Sequence, residues 1–215
     1  MKKNLTELIF ILDRSGSMSG LEMDTIGGFN SMIEKQKKES GDVLVSTVLF
    51  DNDSEVIHDR QDIQKIAPMT QKQYYVRGCT ALLDALGHAI CHIRNVHKYA
   101  REEDRPAKTL FVITTDGMEN SSRDYSYKKL KALIEQQKET SGWEFIFLGA
   151  NIDAVKEAAR FGIHADCAAD YHADGIGTAT IFSAINDAVC GVRADRPIGK
   201  EWKSTVEEDY KKRRK

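Results

Sequence analysis

Leu8-Ile9-Phe10-Ile11-Leu12-Asp13-Arg14-Ser15-Gly16-Ser17-Met18-Ser19-Gly20 is the stretch on which the fold turns. It opens with a continuous apolar run rich in β-formers. Such a run reads as a strand buried on both faces, the pattern of a parallel sheet. The run stops at a carboxylate and gives way to a polar turn. Ile26, Phe29, Met32 and Ile33 then recur at helical spacing, which predicts a helix from about Leu21 to Lys38. Within it, Gly27-Gly28 either weakens the helix or lets a neighbour come close.

The same alternation continues outward. Val43 to Phe50 reads as a strand, Asp51-Asn52-Asp53-Ser54 as a turn, and Glu55 to His58 as a short strand. Their close spacing implies a hairpin, so the short strand should lie antiparallel at the sheet edge. Asp62 to Ala67 suggests a short helix before Pro68. Ala81 to Ala100 reads as a long helix, with Leu82, Leu83, Leu86, Ala89, Ile90, Ile93 and Val96 as its stripe. Thr109 to Thr114 is another buried strand, ended by Thr115-Asp116-Gly117. A helix from Tyr125 to Thr140, a strand from Glu144 to Leu148, a helix from Ile152 to Phe161, a weak strand near Ala165 to Ala169 and a last helix from Ile176 to Val192 complete the pattern. The expected fold is α/β: a doubly wound, Rossmann-like, mainly parallel sheet with one antiparallel edge strand and helices on both faces. One domain is expected over residues 1–193. Residues 194–215 read as a polar tail, frayed at its basic end Lys211-Lys212-Arg213-Arg214-Lys215.

Composition narrows the classes. A chain of 215 residues with 41% hydrophobic and 30% charged residues has the balance of a soluble globular domain. A formal net charge of -2 gives no global attraction to nucleic acid or anionic lipid. Cys79, Cys91, Cys167 and Cys190 form no C-x-x-C pair, so they read as reduced and structural. The apolar run after Met1-Lys2-Lys3-Asn4 is too short for a membrane span and lacks a small-residue cleavage site. A cytoplasmic location and no membrane contact are the expectations.

Ligands of open α/β sheets bind outside the carboxyl ends of the strands, where strand order reverses. Asp13 and Asp116 each follow a buried strand directly. Ser15 and Ser17 stand at alternate positions after Asp13; in an extended turn, their oxygens would point the same way as the carboxylate. Thr80 lies just ahead of a long helix, where a hydroxyl often caps. This all-oxygen set suits a hard cation: Mg²⁺, with Mn²⁺ or Ca²⁺ as alternatives. Two carboxylates only just neutralise a dication. A coordination position left to water then remains attractive to a carboxylate from a partner.

Three segments carry a family resemblance. Asp13-Arg14-Ser15-Gly16-Ser17 matches the D-x-S-x-S motif of von Willebrand factor A domains. Gly78-Cys79-Thr80-Ala81-Leu82 resembles that family's threonine segment, and Thr114-Thr115-Asp116-Gly117-Met118-Glu119-Asn120 resembles its T-D-G segment. The likeness runs from about Leu5 to Val192. It implies a metal-ion-dependent adhesion site with Asp13, Ser15 and Ser17 as ligands from the first loop, Thr80 from the second and Asp116 from the third. It also implies a protein-interaction module rather than an enzyme, with a partner presenting Asp or Glu. In that family, ligand binding at the site is coupled to movement of the last helix, which the resemblance places here at Ile176 to Val192. In particular, the chain resembles small stand-alone A-domain proteins of bacteria and phages, including those near stress- and tellurium-resistance systems.

Other readings are weaker on the residues. Arg14-Ser15-Gly16-Ser17-Met18 lacks a nucleophile elbow. His88 and His92 have the spacing of H-E-x-x-H without its glutamate and read as a solvated helix face. The basic end reads as solvated, and contact with nucleic acid is not expected. Gly175-Ile176-Gly177 lacks the third glycine of a phosphate fingerprint, and no Walker motif occurs. Asp51 and Asp53 are explained by turn chemistry, although they could lie near the metal face. The functional alternatives are a metal-assisted phosphatase or hydrolase, and a structural subunit of a stress-response or metal-resistance complex.

Overall fold

A computed structural model describes residues 2–213. The strands are β1 (Lys2–Asp13), β2 (Asp42–Phe50), β3 (Ser54–Asp62), β4 (Pro106–Thr115), β5 (Glu144–Ala150) and β6 (Ala168–Tyr171). They form a six-stranded sheet in the order β3-β2-β1-β4-β5-β6. Every pairing is parallel except β2 with β3, which leaves β3 as an antiparallel edge.

The central run of β1 is apolar throughout because both faces of the sheet are covered. Leu8, Phe10 and Leu12 face α1 (Glu22–Gln36) and α5 (Gly175–Arg193). Ile9 and Ile11, one step out of phase, face α2 (Leu82–Tyr99), α3 (Tyr127–Ser141) and α4 (Ala154–Arg160). This is the period of two in a strand applied to two cores at once. Among the described residues, α5 is the one helix long and apolar enough to cross a membrane, but Ile181, Phe182, Ile185 and Val189 are buried in the core. The close neighbour implied by Gly27-Gly28 is α5: a Cβ on Gly28 would come within 2.2 Å of the Phe182 ring.

From β1 the chain winds outward to β2 and β3, then crosses back to β4 and winds the other way to β6. Strand order therefore reverses between β1 and β4, whose carboxyl ends lie side by side with Leu12 opposite Thr114. The crevice for a ligand opens there.

Two expectations are corrected. Asp62 to Ala67 is not a helix but a single 3-10 turn at Ile63–Lys65, with Asp62 accepting the Gln64 N–H at 3.0 Å. Ala67 precedes Pro68, and a residue before proline is driven from the helical region. The segment after Arg193 is not a frayed tail over its described part. It forms a 3-10 turn at Lys200–Lys203 and α6 (Ser204–Arg213). Trp202 and Val206 bury into the α1–α5 core. The indole N–H of Trp202 donates to the Asp166 carbonyl at 2.9 Å, and Lys203 Nζ donates to the Ala165 and Ala168 carbonyls at 2.8 Å each. This packing covers the β6 edge, which would otherwise be open to strand pairing. Two apolar anchors four residues apart in a charged stretch give no visible stripe. Arg214 and Lys215, at the basic end, lie outside the described residues.

Candidate metal centre

Asp13 is the last residue of β1 and is fully buried. Its Oδ1 accepts the Ser15 N–H at 2.7 Å, and its Oδ2 accepts the Thr115 hydroxyl at 2.5 Å. The Tyr74 hydroxyl donates to its backbone carbonyl. Strand, turn and neighbouring strand thus hold the carboxylate in one orientation. After it, Ser15 leads into a 3-10 turn at Gly16–Met18 rather than the extended turn expected. The tighter turn still brings the Ser15 and Ser17 Oγ atoms to 3.1 Å.

The other loops close on this pair. Thr80 Oγ1 donates to Ser15 Oγ at 3.1 Å, and Ser17 Oγ donates to Asp116 Oδ1 at 2.5 Å. Asp116 Oδ2 is buried and has no hydrogen-bond partner. Thr80, Ser15, Ser17 and Asp116 therefore form one chain of oxygen contacts, with Asp13 fixed behind it. Gly117 permits the approach: a Cβ there would stand 3.1 Å from Ser17 Oγ and 3.3 Å from Thr80 Oγ1.

Burial pushes the Asp13 carboxyl up to about 6, against the hydrogen bonds from Thr115 and Ser15; the Asp116 charge adds to the rise. Burial likewise raises Asp116, partly offset by the Ser17 hydroxyl. Two desolvated carboxylates, one with an orphaned oxygen, are expensive unless something positive compensates them. With hydroxyls completing the set, the donors are all oxygen, which fits a hard divalent cation. No cluster of three or more His, Cys, Asp or Glu suited to a metal occurs among the described residues, so acidic ligands here would number two.

The frame around these donors was only partly legible in the sequence. Asp51, at the carboxyl end of β2, is buried. Its Oδ2 accepts Nε of both Arg14 and Arg77 at 2.8 Å, and its carbonyl accepts the Ala81 N–H at 2.8 Å. Burial raises the Asp51 carboxyl, but hydrogen bonds from Arg77, the Asp53 amide and Arg14 outweigh it and hold it below the usual range. Arg14 is fully buried and also reaches Glu55 at 2.7 Å. One carboxylate thus ties the first loop, through Arg14, to the second, through Arg77. The rule that singled out Asp13 and Asp116, a carboxylate directly after a buried strand, applies equally to Asp51. Its turn position between Phe50 and Asn52 hid the role.

Thr80 does not cap α2; the residue at the cap is Ala81, without a side-chain bond. The helix start is served instead by Glu119, which accepts the Leu83 N–H at 2.9 Å and the Ser121 and Ser122 amides at 2.9 and 2.7 Å. Asn120 and Thr80 exchange two bonds, at 2.9 and 3.1 Å. The Thr80 hydroxyl is thereby left for Ser15. Away from the centre, His88 and His92 are exposed and face Asp124 at 3.2 Å and Asp59 at 2.9 Å respectively. All four cysteines are free.

No family sequence model matches the chain, and no curated protein sequence matches it significantly. Solved structures do. Proximal thread matrix protein 1 from the mussel byssus, in a structure with a zinc-occupied MIDAS motif, superposes with a TM-score of 0.60 at 14% identity, covering 87% of this chain and 46% of that one. A von Willebrand factor type A protein from Catenulispora acidiphila gives 0.58 at 17% identity, over 88% and 43% of the two chains. A variant of the minor pilin PilB from Streptococcus sanguinis gives 0.60 at 13% identity, over 91% and 62%. This chain thus spans less than half the length of the first two. Its fold is that of the von Willebrand factor A domains.

Proposed function

We propose that the chain is a metal-dependent protein-interaction module that binds Mg²⁺ through Asp13, Ser15, Ser17, Thr80 and Asp116 and engages a carboxylate of a partner protein. The observation that carries the reading is the run of oxygen contacts from Thr80 to Asp116 that ends on a carboxylate whose second oxygen is buried without a partner. Mg²⁺ bound to this set would supply a coordination position for one further oxygen ligand. Thr115 and the Ser15 amide orient Asp13, while Asp51, Arg14 and Arg77 hold the first two loops together. The zinc seen in the byssus protein's motif supports divalent occupancy in this fold. An interaction role is favoured over hydrolysis because Glu119, three residues beyond Asp116 in the third loop, spends both carboxylate oxygens on backbone amides and Ser122.

Calorimetric titration of Mg²⁺ into the full chain and into Asp13→Ala tests the binding claim. A saturable exchange present in the first and absent in the second is expected. Equal binding by both would defeat the assignment. Partner capture repeated in EDTA then tests metal dependence of recognition.

A further inference from the structure

Large apolar side chains are exposed at Met23, Val56, Tyr75, Tyr99, Met118 and Ile176 among the described residues. All but Val56 and Tyr99 lie on segments that lead into or adjoin the loops of the candidate metal centre. Met118 follows Gly117, whose Cα lies against Ser17 and Thr80. The Tyr75 ring lies 5.3 Å from the Arg14 guanidinium and 5.5 Å from that of Arg77, and the Arg77 N–H donates to the Arg14 carbonyl at 2.9 Å. That places the ring beside the first and second loops. Met23 lies in the first turn of α1, with its sulfur 3.0 Å from Gln71 Nε2. Its neighbour Asp24 meets the start of α5, where a Cβ on Gly175 would touch both carboxylate oxygens at 3.1 Å; Ile176 comes next. The winding of the sheet explains the grouping, because helices following parallel strands begin on the face where the strands end.

Scattered apolar residues on a surface need no explanation, but a group ringing one site marks an interaction surface. Methionine suits such a role because its side chain adapts to differing contacts. The charges beside this ring also select. Glu22 and Asp24, in the first turn of α1, are acids, while the cations Arg14, Arg77 and Arg213 are already engaged, the first two by Asp51 and the last by Asp174 and Asp209. A partner with a run of acids would meet repulsion from the first of these groups without gain from the second.

We propose that the ring formed by Met23, Tyr75, Met118 and Ile176 docks a protein partner whose metal-bound Asp or Glu is set among aliphatic, methionine or aromatic side chains, and disfavours polyacidic segments. The proposal rests on the metal-dependent reading above. The test is selection from a library of short peptides with one fixed central Asp and randomised flanks, on the full chain in Mg²⁺, with release by EDTA. Leu, Ile, Met and Phe should be enriched beside the Asp. The best peptide should bind the double variant Met118→Ser, Ile176→Ser about tenfold more weakly, while Mg²⁺ affinity by calorimetry stays within about twofold. Mg²⁺-dependent selection with acidic or unbiased flanks overturns the docking surface alone. Selection that survives EDTA and Asp13→Ala overturns the metal-dependent reading. Failure to enrich any sequence over a control library with central Asn overturns both.

Discussion

Replacing Asp116 by Asn separates the two roles that the proposed metal-binding carboxylate would have in the fold. The change is isosteric. Asn Oδ1 can still accept the Ser17 hydroxyl, which lies 2.5 Å from Asp116 Oδ1, and the new NH₂ occupies the place of the orphaned oxygen. No hydrogen bond is lost, and a desolvated charge near Asp13 disappears. A buried ion costs several kcal/mol after relaxation; allowing for the hydroxyl that Asp116 keeps, the net gain is about 1–3 kcal/mol. For a domain of this size that is roughly 2–12 °C in Tm. In EDTA, then, Asp116→Asn should melt above the wild type. With free Mg²⁺ about a hundredfold above its Kd, the wild type gains about 2.7 kcal/mol and the variant almost nothing. The order of the two melting curves should therefore draw level or reverse. Thermal unfolding followed by circular dichroism, each protein in EDTA and in Mg²⁺, reads both comparisons. Equal stabilisation of the two proteins by Mg²⁺ would refute Asp116 as a ligand. A lower melting point of the variant in EDTA would refute the claim that the bare carboxylate strains the fold.

Asp51→Asn removes the charge that both Arg14 and Arg77 face. Because Arg14 keeps Glu55 and Arg77 is half exposed, the expected loss is about 2–4 kcal/mol by urea unfolding, with Mg²⁺ affinity about tenfold to a hundredfold weaker; unchanged affinity would show that the loops are set independently of Asp51. Gly28→Ala drives a methyl into the Phe182 ring and should cost about 1–3 kcal/mol, with Phe182→Leu recovering part of it in the double variant. Additive losses would count against that contact. His58, bonded to Thr47 at 3.0 Å and stacked on Phe29, is held by burial below its usual 6.5. The unfolded chain then takes up the proton first, so stability present above pH 6.5 should fall as pH drops through that value, and His58→Gln should flatten the slope. A slope identical in the two proteins would assign it elsewhere.

Most of the strand and helix order was legible because it is written in periods. β1 reads as buried on both faces, and the structure gives each face its own helix layer. That Asp13, Ser15, Ser17, Thr80 and Asp116 converge was legible because each follows a strand end or precedes a helix, and winding brings those points together whatever lies between. What escaped was contact between segments far apart in sequence. Asp51 finds Arg14 and Arg77 across separations of 37 and 26 residues, and no local pattern announces such a partner. The cap suggested by the position of Thr80 does not form: Glu119, 36 residues from Leu83, serves the helix start and leaves the Thr80 hydroxyl for Ser15. α6 escaped because its stability comes from tertiary anchoring of Trp202 and Lys203 rather than from an amphipathic stripe.

The small number of charges at the centre bears on how it would work. Hard-cation affinity rises with the number of charged ligands and the rigidity of the site. Here Asp51, Asn120 and Thr115 fix the loops, but the proposed ligand set holds only two carboxylates. A set with more acids would keep its ion regardless of company. One with two leaves room, electrically and sterically, for an oxygen anion from outside. If a partner supplies that anion, linkage requires that the partner tighten the ion by the same factor by which the ion tightens the partner. Weak binding of the ion alone would then be a property of the design, since it makes occupancy of the centre depend on recognition at its rim.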